Sequence, residues 1–159
     1  MAEILGMKKY VCYHEASHAV VAFALGYHVD YLSTKIIRHK GEVLESGCIH
    51  IDQDVPDKDL VLITMAGRLA EEYLHSKIKP QRSVVRLYSS YITENNSDGD
   101  LIFKIISKPG GHSLRYYYKK SYEIVKANWK KIVVLANRID TKNGSFLKGK
   151  TIKRIIGVK

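Results

Sequence analysis

Three side chains near the start of the chain could do chemistry together: His14, Glu15 and His18, in the run Tyr13-His14-Glu15-Ala16-Ser17-His18-Ala19. Histidines four residues apart lie about 40° apart around an α-helix and about 6 Å apart along it, so both imidazoles share one face and can grip one metal ion. Glu15, beside the first of them, can reach a water on that metal without ligating it. Zinc brings the acidity of such a water near neutrality, and a carboxylate can take its proton as the water attacks a peptide carbonyl. Zinc is therefore the expected cofactor. Glu15 is the expected general base and then proton shuttle of a peptide-bond hydrolysis. The five-residue pattern also occurs by chance, as an exposed turn with two incidental histidines. The run Ala19-Val20-Val21-Ala22 that follows argues for a buried helix, and buried imidazoles need partners.

A third ligand must come from elsewhere. Glu71 and Glu72 form the nearest acidic pair downstream on a predicted helix, and the acidic turn Asn95-Asn96-Ser97-Asp98-Gly99-Asp100 is the other source.

The elements that must position these groups follow from periodicity. Apolar residues recur at helical spacing from Tyr10 to Leu25, with Gly26 as a stop. Tyr27 to Arg38 reads as a strand, His39 to Glu42 as a turn and Ser46 to Ile51 as a second short strand. Asp54, Pro56 and Asp57 announce a helix whose body, Leu60 to His75, is apolar on the side of Leu60, Ile63, Ala66, Gly67, Ala70, Tyr73 and Leu74. Lys79 to Asn96 is predicted as a long loop holding at most a fragment of helix. A helix from Ser97 ends by Pro109, Gly110 and Gly111 turn the chain, and one long helix is predicted from Ser113 to Arg138. Asn143 and Gly144 break the pattern before a last helix from Lys150 to Ile156. The expected fold is a single α+β domain over residues 1–159, mainly helical, with a small β element after the HExxH helix. An edge strand around Cys48 to Asp52 would let an extended substrate pair with the main chain.

The segment His14-Glu15-Ala16-Ser17-His18-Ala19 resembles the HEAGHA motif of the FtsH-type zinc metallopeptidases. Met65-Ala66-Gly67-Arg68-Leu69-Ala70-Glu71-Glu72 is similar to their GGRAAEE segment, and Lys35 to Gly41 to their strand and turn after the first helix. Ala136-Asn137-Arg138 and Phe146 to Ile152 are similar to their terminal helices. The resemblance covers most of the chain in matching order. It implies an aspartate at the start of a later helix as the third zinc ligand. Asp98 is the favoured match, with Ile102, Ile105 and Ile106 trailing it at helical spacing. Asp100 is the alternative, although Ser97-x-x-Asp100 also reads as a capping box. By the same resemblance Glu71 and Glu72 are structural, partnering Arg68 or supporting the site from behind; another zinc-peptidase lineage would make Glu71 a ligand. Ser17 stands where the family has glycine, and the loop between Glu72 and Asp98, with Arg82 and Arg86, is longer than the family's. The chain is expected to stand alone, without the ATPase module or the membrane anchor of that family. The expected substrates are therefore peptides, flexible tails or unfolded segments, or proteins delivered by a separate unfoldase; a homo-oligomer is a further expectation.

Composition bounds these readings. The 159 residues are 45% hydrophobic, enough for a core and inconsistent with disorder. A stretch of about 20 apolar residues, as a membrane span needs, is lacking, and no secretory signal is legible, so a soluble cytoplasmic protein is expected. Cys12 and Cys48 are expected as two reduced, partly buried thiols. The formal net charge of +10 supports a rival reading as a basic nucleic-acid-binding protein, whose affinity would fall steeply with salt and survive zinc removal. A second rival is a catalytically weak or inactive FtsH-like binding or regulatory protein, against which the intact Glu15 argues. His39 and His50 read as surface or packing residues rather than extra ligands. Lys79-Pro80-Gln81-Arg82 and Tyr116 to Lys120 could meet a polyanion, although the tyrosine run is expected to pack the long helix.

Overall fold

A computed structural model of the chain describes residues 2–39, 42–78, 97–139 and 144–158. In chain order these form α1 (Ala2–Ala24), β1 (Tyr31–His39), β2 (Glu42–His50), α2 (Asp57–Ile78), α3 (Ser97–Ile106), α4 (Leu114–Ala127), α5 (Trp129–Ala136), β3 (Ser145–Lys148) and α6 (Gly149–Ile156). The fold is thus α+β and mainly helical, as expected. No helix among the described residues is long and apolar enough to cross a membrane.

The helix α1 runs through the centre. Ala16, Ala19, Val21 and Ala22 are fully buried, and so are Val61, Met65, Ala66, Leu69 and Ala70 of α2. Small residues on both helices let the two backbones approach, and α1 packs against α2 more extensively than against any other helix. Behind this pair lie α4, α5 and α6, which bury Tyr117, Val125, Ile132, Leu135 and Ile152. Each such side chain contributes about 1.5–3 kcal/mol relative to exposure. Gly26, at φ 91°, ends α1 in the left-handed conformation that glycine adopts without steric cost.

The sheet is antiparallel, in the order β2-β1-β3. Tyr31 pairs with His50 and His39 with Glu42, so β2 begins earlier than the predicted second strand. Of the turn predicted over His39 to Glu42, the two end residues pair within β1 and β2, and positions 40–41 lie outside the described residues, as do the predicted loop over 79–96, Arg82 and Arg86.

Three expectations are corrected. Residues Phe146 to Lys148, expected at the start of a terminal helix, form β3. Leu32 pairs with Leu147, the Gly149 amide donates to the Asp30 carbonyl at 2.6 Å, and α6 starts only at Gly149. The long helix is two. Asn128 takes φ −105° and ψ 13°, outside the helical region, and both its backbone amide and its side-chain amide donate to the Ile124 carbonyl at 3.0 Å, capping the first of the two helices. Of the two cysteines expected to be partly buried, Cys12 is buried in the core, whereas Cys48 is exposed, because its side chain lies on the solvent face of β2.

Candidate metal centre

The two histidines of α1 are oriented from outside the helix. His18 Nδ1 donates to the Ile63 carbonyl at 2.7 Å, which leaves Nε2 with its lone pair facing inward when the ring is neutral. His14 Nδ1 lies 2.8 Å from Glu71 Oε1, so its Nε2 also points inward. The rings meet edge to face with centroids 4.6 Å apart. Asp98, in the first turn of α3, closes the third side: Oδ2 lies 3.2 Å from His14 Nε2 and 3.4 Å from His18 Nε2. Among the described residues this trio alone has His, Cys, Asp or Glu ligand atoms all within 4.8 Å of one another.

Of the two aspartates offered by the sequence, the fold brings Asp98 to the histidines and leaves Asp100 exposed. Glu71 lies behind His14 rather than in the trio, and Arg68 Nη1 holds its second oxygen at 3.2 Å. Glu72 sits with Arg68 Nε at 3.6 Å and does not reach the histidines. His50 is exposed, bonded to Asp30 at 2.9 Å, and takes no part in the site. The His39 side chain lies outside the described residues.

The donor set suits a divalent cation. With bonds of about 2.0–2.1 Å, tetrahedral zinc places its ligand atoms about 3.3 Å apart, and the two edges at Asp98 measure 3.2 and 3.4 Å. Two imidazole nitrogens and a carboxylate oxygen converge, and a neutral His18 would direct its lone pair at an anionic oxygen. Only a proton or a cation relieves that repulsion. The charge balance of the cluster shows the same demand. Burial alone would lower the pKa of His14, but the bonds to Asp98 and Glu71 outweigh it and push the value up to about 10. Asp98, which burial alone would raise, is held far below the usual carboxylate range by His14 and His18.

Glu15 is buried on the same turn, and burial raises its pKa against the opposing pull of His18 and His14. Glu15, both histidines and Asp98 line one cleft of about 740 Å³, walled by Gly47 to Ile49 of β2 and by Ile63 and Thr64 of α2. The strand β2 pairs with β1 alone among the described strands, so its other edge has no strand partner. A side chain at Gly47 would collide with the Glu15 carboxyl, so the glycine lets β2 close against the base. A Cβ at Gly67 would stand 2.5 Å from His14 Nε2 and 2.6 Å from His18 Nε2. Sequence reasoning places Gly67 only on the apolar side of α2 and gives Gly47 no role. The available signal is physical: a mid-helix glycine costs about 1 kcal/mol against alanine, and a mid-strand glycine marks a close approach. The hydroxyl of Ser17, which stands where the resembled motif has glycine, donates to the His14 carbonyl at 2.7 Å and stays within the helix.

Compared with known proteins, the chain matches no family model and no curated protein.

Proposed function

We propose that this protein is a zinc-dependent endopeptidase of the FtsH type, acting on flexible or unfolded polypeptide. One observation carries the reading: His14 Nε2, His18 Nε2 and Asp98 Oδ2 converge, with both edges at Asp98 close to those of a tetrahedral site and Glu15 in the same cleft. The fit of those donors supports His14, His18 and Asp98 as the ligands. When bound, zinc would acidify a water and polarise the substrate carbonyl. Glu15 would take the proton of the attacking water and return it to the leaving amine, a role that suits a carboxyl in a shielded cleft. The main chain of β2 around Gly47 to Ile49 would hold an extended substrate across the cleft by strand pairing, which needs no unfolding of the enzyme and selects against folded substrates.

The test is metal content by elemental analysis alongside cleavage of an unstructured peptide. The protein is expected to bind one zinc per chain and to lose both metal and cleavage in His18→Ala. A variant that keeps its zinc, or a wild-type chain that binds none at neutral pH, overturns the reading.

A further inference from the structure

The net charge of the chain is unevenly placed. Residues 109–159 hold 13 of the 26 lysines and arginines but two of the 16 acidic residues. That segment therefore carries a formal +11, and residues 1–108 carry −1. The fold keeps the two parts of the charge apart. Among the described residues the cleft is lined by α1, β2, α2, α3 and the β2–α2 connection, with no lysine or arginine in that lining, and α4, α5 and α6 contribute none of it. Among the described residues of these three helices, Glu123 is the only carboxylate, and it lies 3.8 Å from Lys120.

On α4 the cations fall in a stripe. Arg115, Lys119 and Lys126 are exposed, and at 100° per residue they lie within about 40° of one another over roughly 16 Å of helix. Lys130, on the first turn of α5, is a further exposed cation close after them in the chain. We infer that this helical layer is a docking surface for the sugar-phosphate backbone of duplex nucleic acid, bound without sequence preference.

The composition of the surface selects that partner among polyanions. A helix that lies on a membrane sinks an apolar face into the lipid, but here the apolar faces are spent on the core: Tyr117, Val125, Ile132 and Leu135 are buried. The large apolar residues exposed on α4 and α5 are Tyr116 and Val134, one on each helix. An acidic protein partner would call for an aromatic or aliphatic centre, and lysine is depleted from such interfaces. Solvated cations on a convex helical face, with no apolar centre, fit a backbone that presents one negative charge per about 1.7 Å of axis. The inference does not rest on the metal reading, since it uses none of the cleft residues.

The experiment is fluorescence anisotropy with mixed-sequence duplexes of about 25 base pairs in the presence of chelator, over a series of salt concentrations. Two charge-reversed triple variants carry equal net charge: Lys119→Glu/Lys126→Glu/Lys130→Glu on α4 and α5, and Lys35→Glu/Lys58→Glu/Lys104→Glu elsewhere. The wild-type chain is expected to bind two unrelated sequences equally, with log affinity falling linearly in log salt. The α4–α5 variant should lose at least about tenfold in affinity and about 2–3 from the log–log slope, whereas the control set keeps both within a factor of about three. Circular dichroism checks the fold; if the glutamates unfold α4, glutamines at the same positions carry the same expectation. Absence of duplex binding at low salt overturns the inference, as do equal losses in the two variants. Co-sedimentation with phosphatidylserine-rich vesicles in place of duplex binding overturns it in favour of a membrane surface. Zinc loss in His18→Ala together with unchanged duplex binding would leave both readings standing; failure of either measurement leaves the other untouched.

Discussion

On the cleft side of the α1–α2 pair, carboxylates lie against cationic or hydrogen-bonding groups. Asp98 faces two imidazoles, Glu71 is shared between His14 and Arg68, and Glu15 opens onto the cleft. One residue further along α2, the carboxylate oxygens of Glu72 are shielded from solvent. Neither of its oxygens has a hydrogen-bond partner among the described residues, and the Arg68 guanidinium lies 3.6 Å away. Its surroundings are aromatic: Tyr73 meets Trp129 and Tyr122 edge to face, Tyr118 stacks on Tyr122, and the nearby Glu72 charge, after burial, helps raise the Tyr118 hydroxyl. Burial pushes the Glu72 carboxyl up to about 7, with Arg68 opposing it. The contrast between adjacent residues separates two uses of a buried acid. Where several donors converge on it, the acid holds charge in place for a ligand; where a single ion-pair partner shared with Glu71 faces it, the acid is a store of pH-dependent instability.

The sharpest way to break this contrast is at Glu15. Glu15→Gln keeps the shape of the side chain and removes its basicity, so cleavage of an unstructured peptide should fall by about 10²–10⁴-fold. Zinc content should remain that of the wild-type chain, and the denaturation midpoint should not fall, because burial raises the Glu15 pKa and the neutral amide carries no such penalty. Retained cleavage would remove Glu15 from the chemistry. Lost zinc would make it part of the metal cradle and erase the distinction between base and ligand.

Glu72 tests the other side, through stability rather than turnover. Its folded-state pKa of about 7 lies above the ordinary 4.5, so the folded protein binds the proton more tightly than the unfolded chain does. The stabilisation from this group is complete below the ordinary value and is lost as pH rises through about 7, at up to about 1.4 kcal/mol per pH unit. Glu72→Gln should flatten that slope. In urea unfolding the variant should match the wild type near pH 4 and exceed it by about 2–3 kcal/mol near pH 8, with cleavage per bound zinc unchanged. An identical pH dependence in the two proteins would mean that Arg68 fully compensates the charge.

How much of this could be read from the chain depends on how far apart the interacting residues are. The histidine pair, the stop at Gly26 and the body of α2 are local patterns, written in periodicity and in single residues, and they appear where expected. The identity of the aspartate was narrowed to one turn but not to one residue, because Asp98 and Asp100 share that turn and only the packing of α3 against α2 decides which faces inward. The strand β3 was missed because its four residues gain strand character from pairing with Tyr31 to Thr34, more than a hundred positions away. The break at Asn128 is a change of backbone angles at one residue, in a stretch whose apolar spacing continues unbroken. The closeness of Gly47 to Glu15 and of Gly67 to both imidazoles is likewise a tertiary fact, signalled only by glycines in places where they carry a cost.

Glu71 gives the finest test, because it stands between the two uses. It does not belong to the trio, yet it fixes the tautomer and direction of His14 through Nδ1, and Arg68 fixes it in turn. In Glu71→Gln the amide oxygen can still accept from His14, but as a neutral acceptor, and Arg68 loses an anionic partner. Outer groups of this kind change metal affinity by about 10–100-fold when altered, so competition with a chromophoric chelator should show zinc held that much more weakly. At saturating zinc, cleavage should recover, because Glu15 and the three ligands are intact. Unchanged affinity would place Glu71 with Glu72, as an acid that serves the packing of α2 and not the metal. Cleavage that stays lost at full metal loading would move it the other way, into direct contact with the reacting groups.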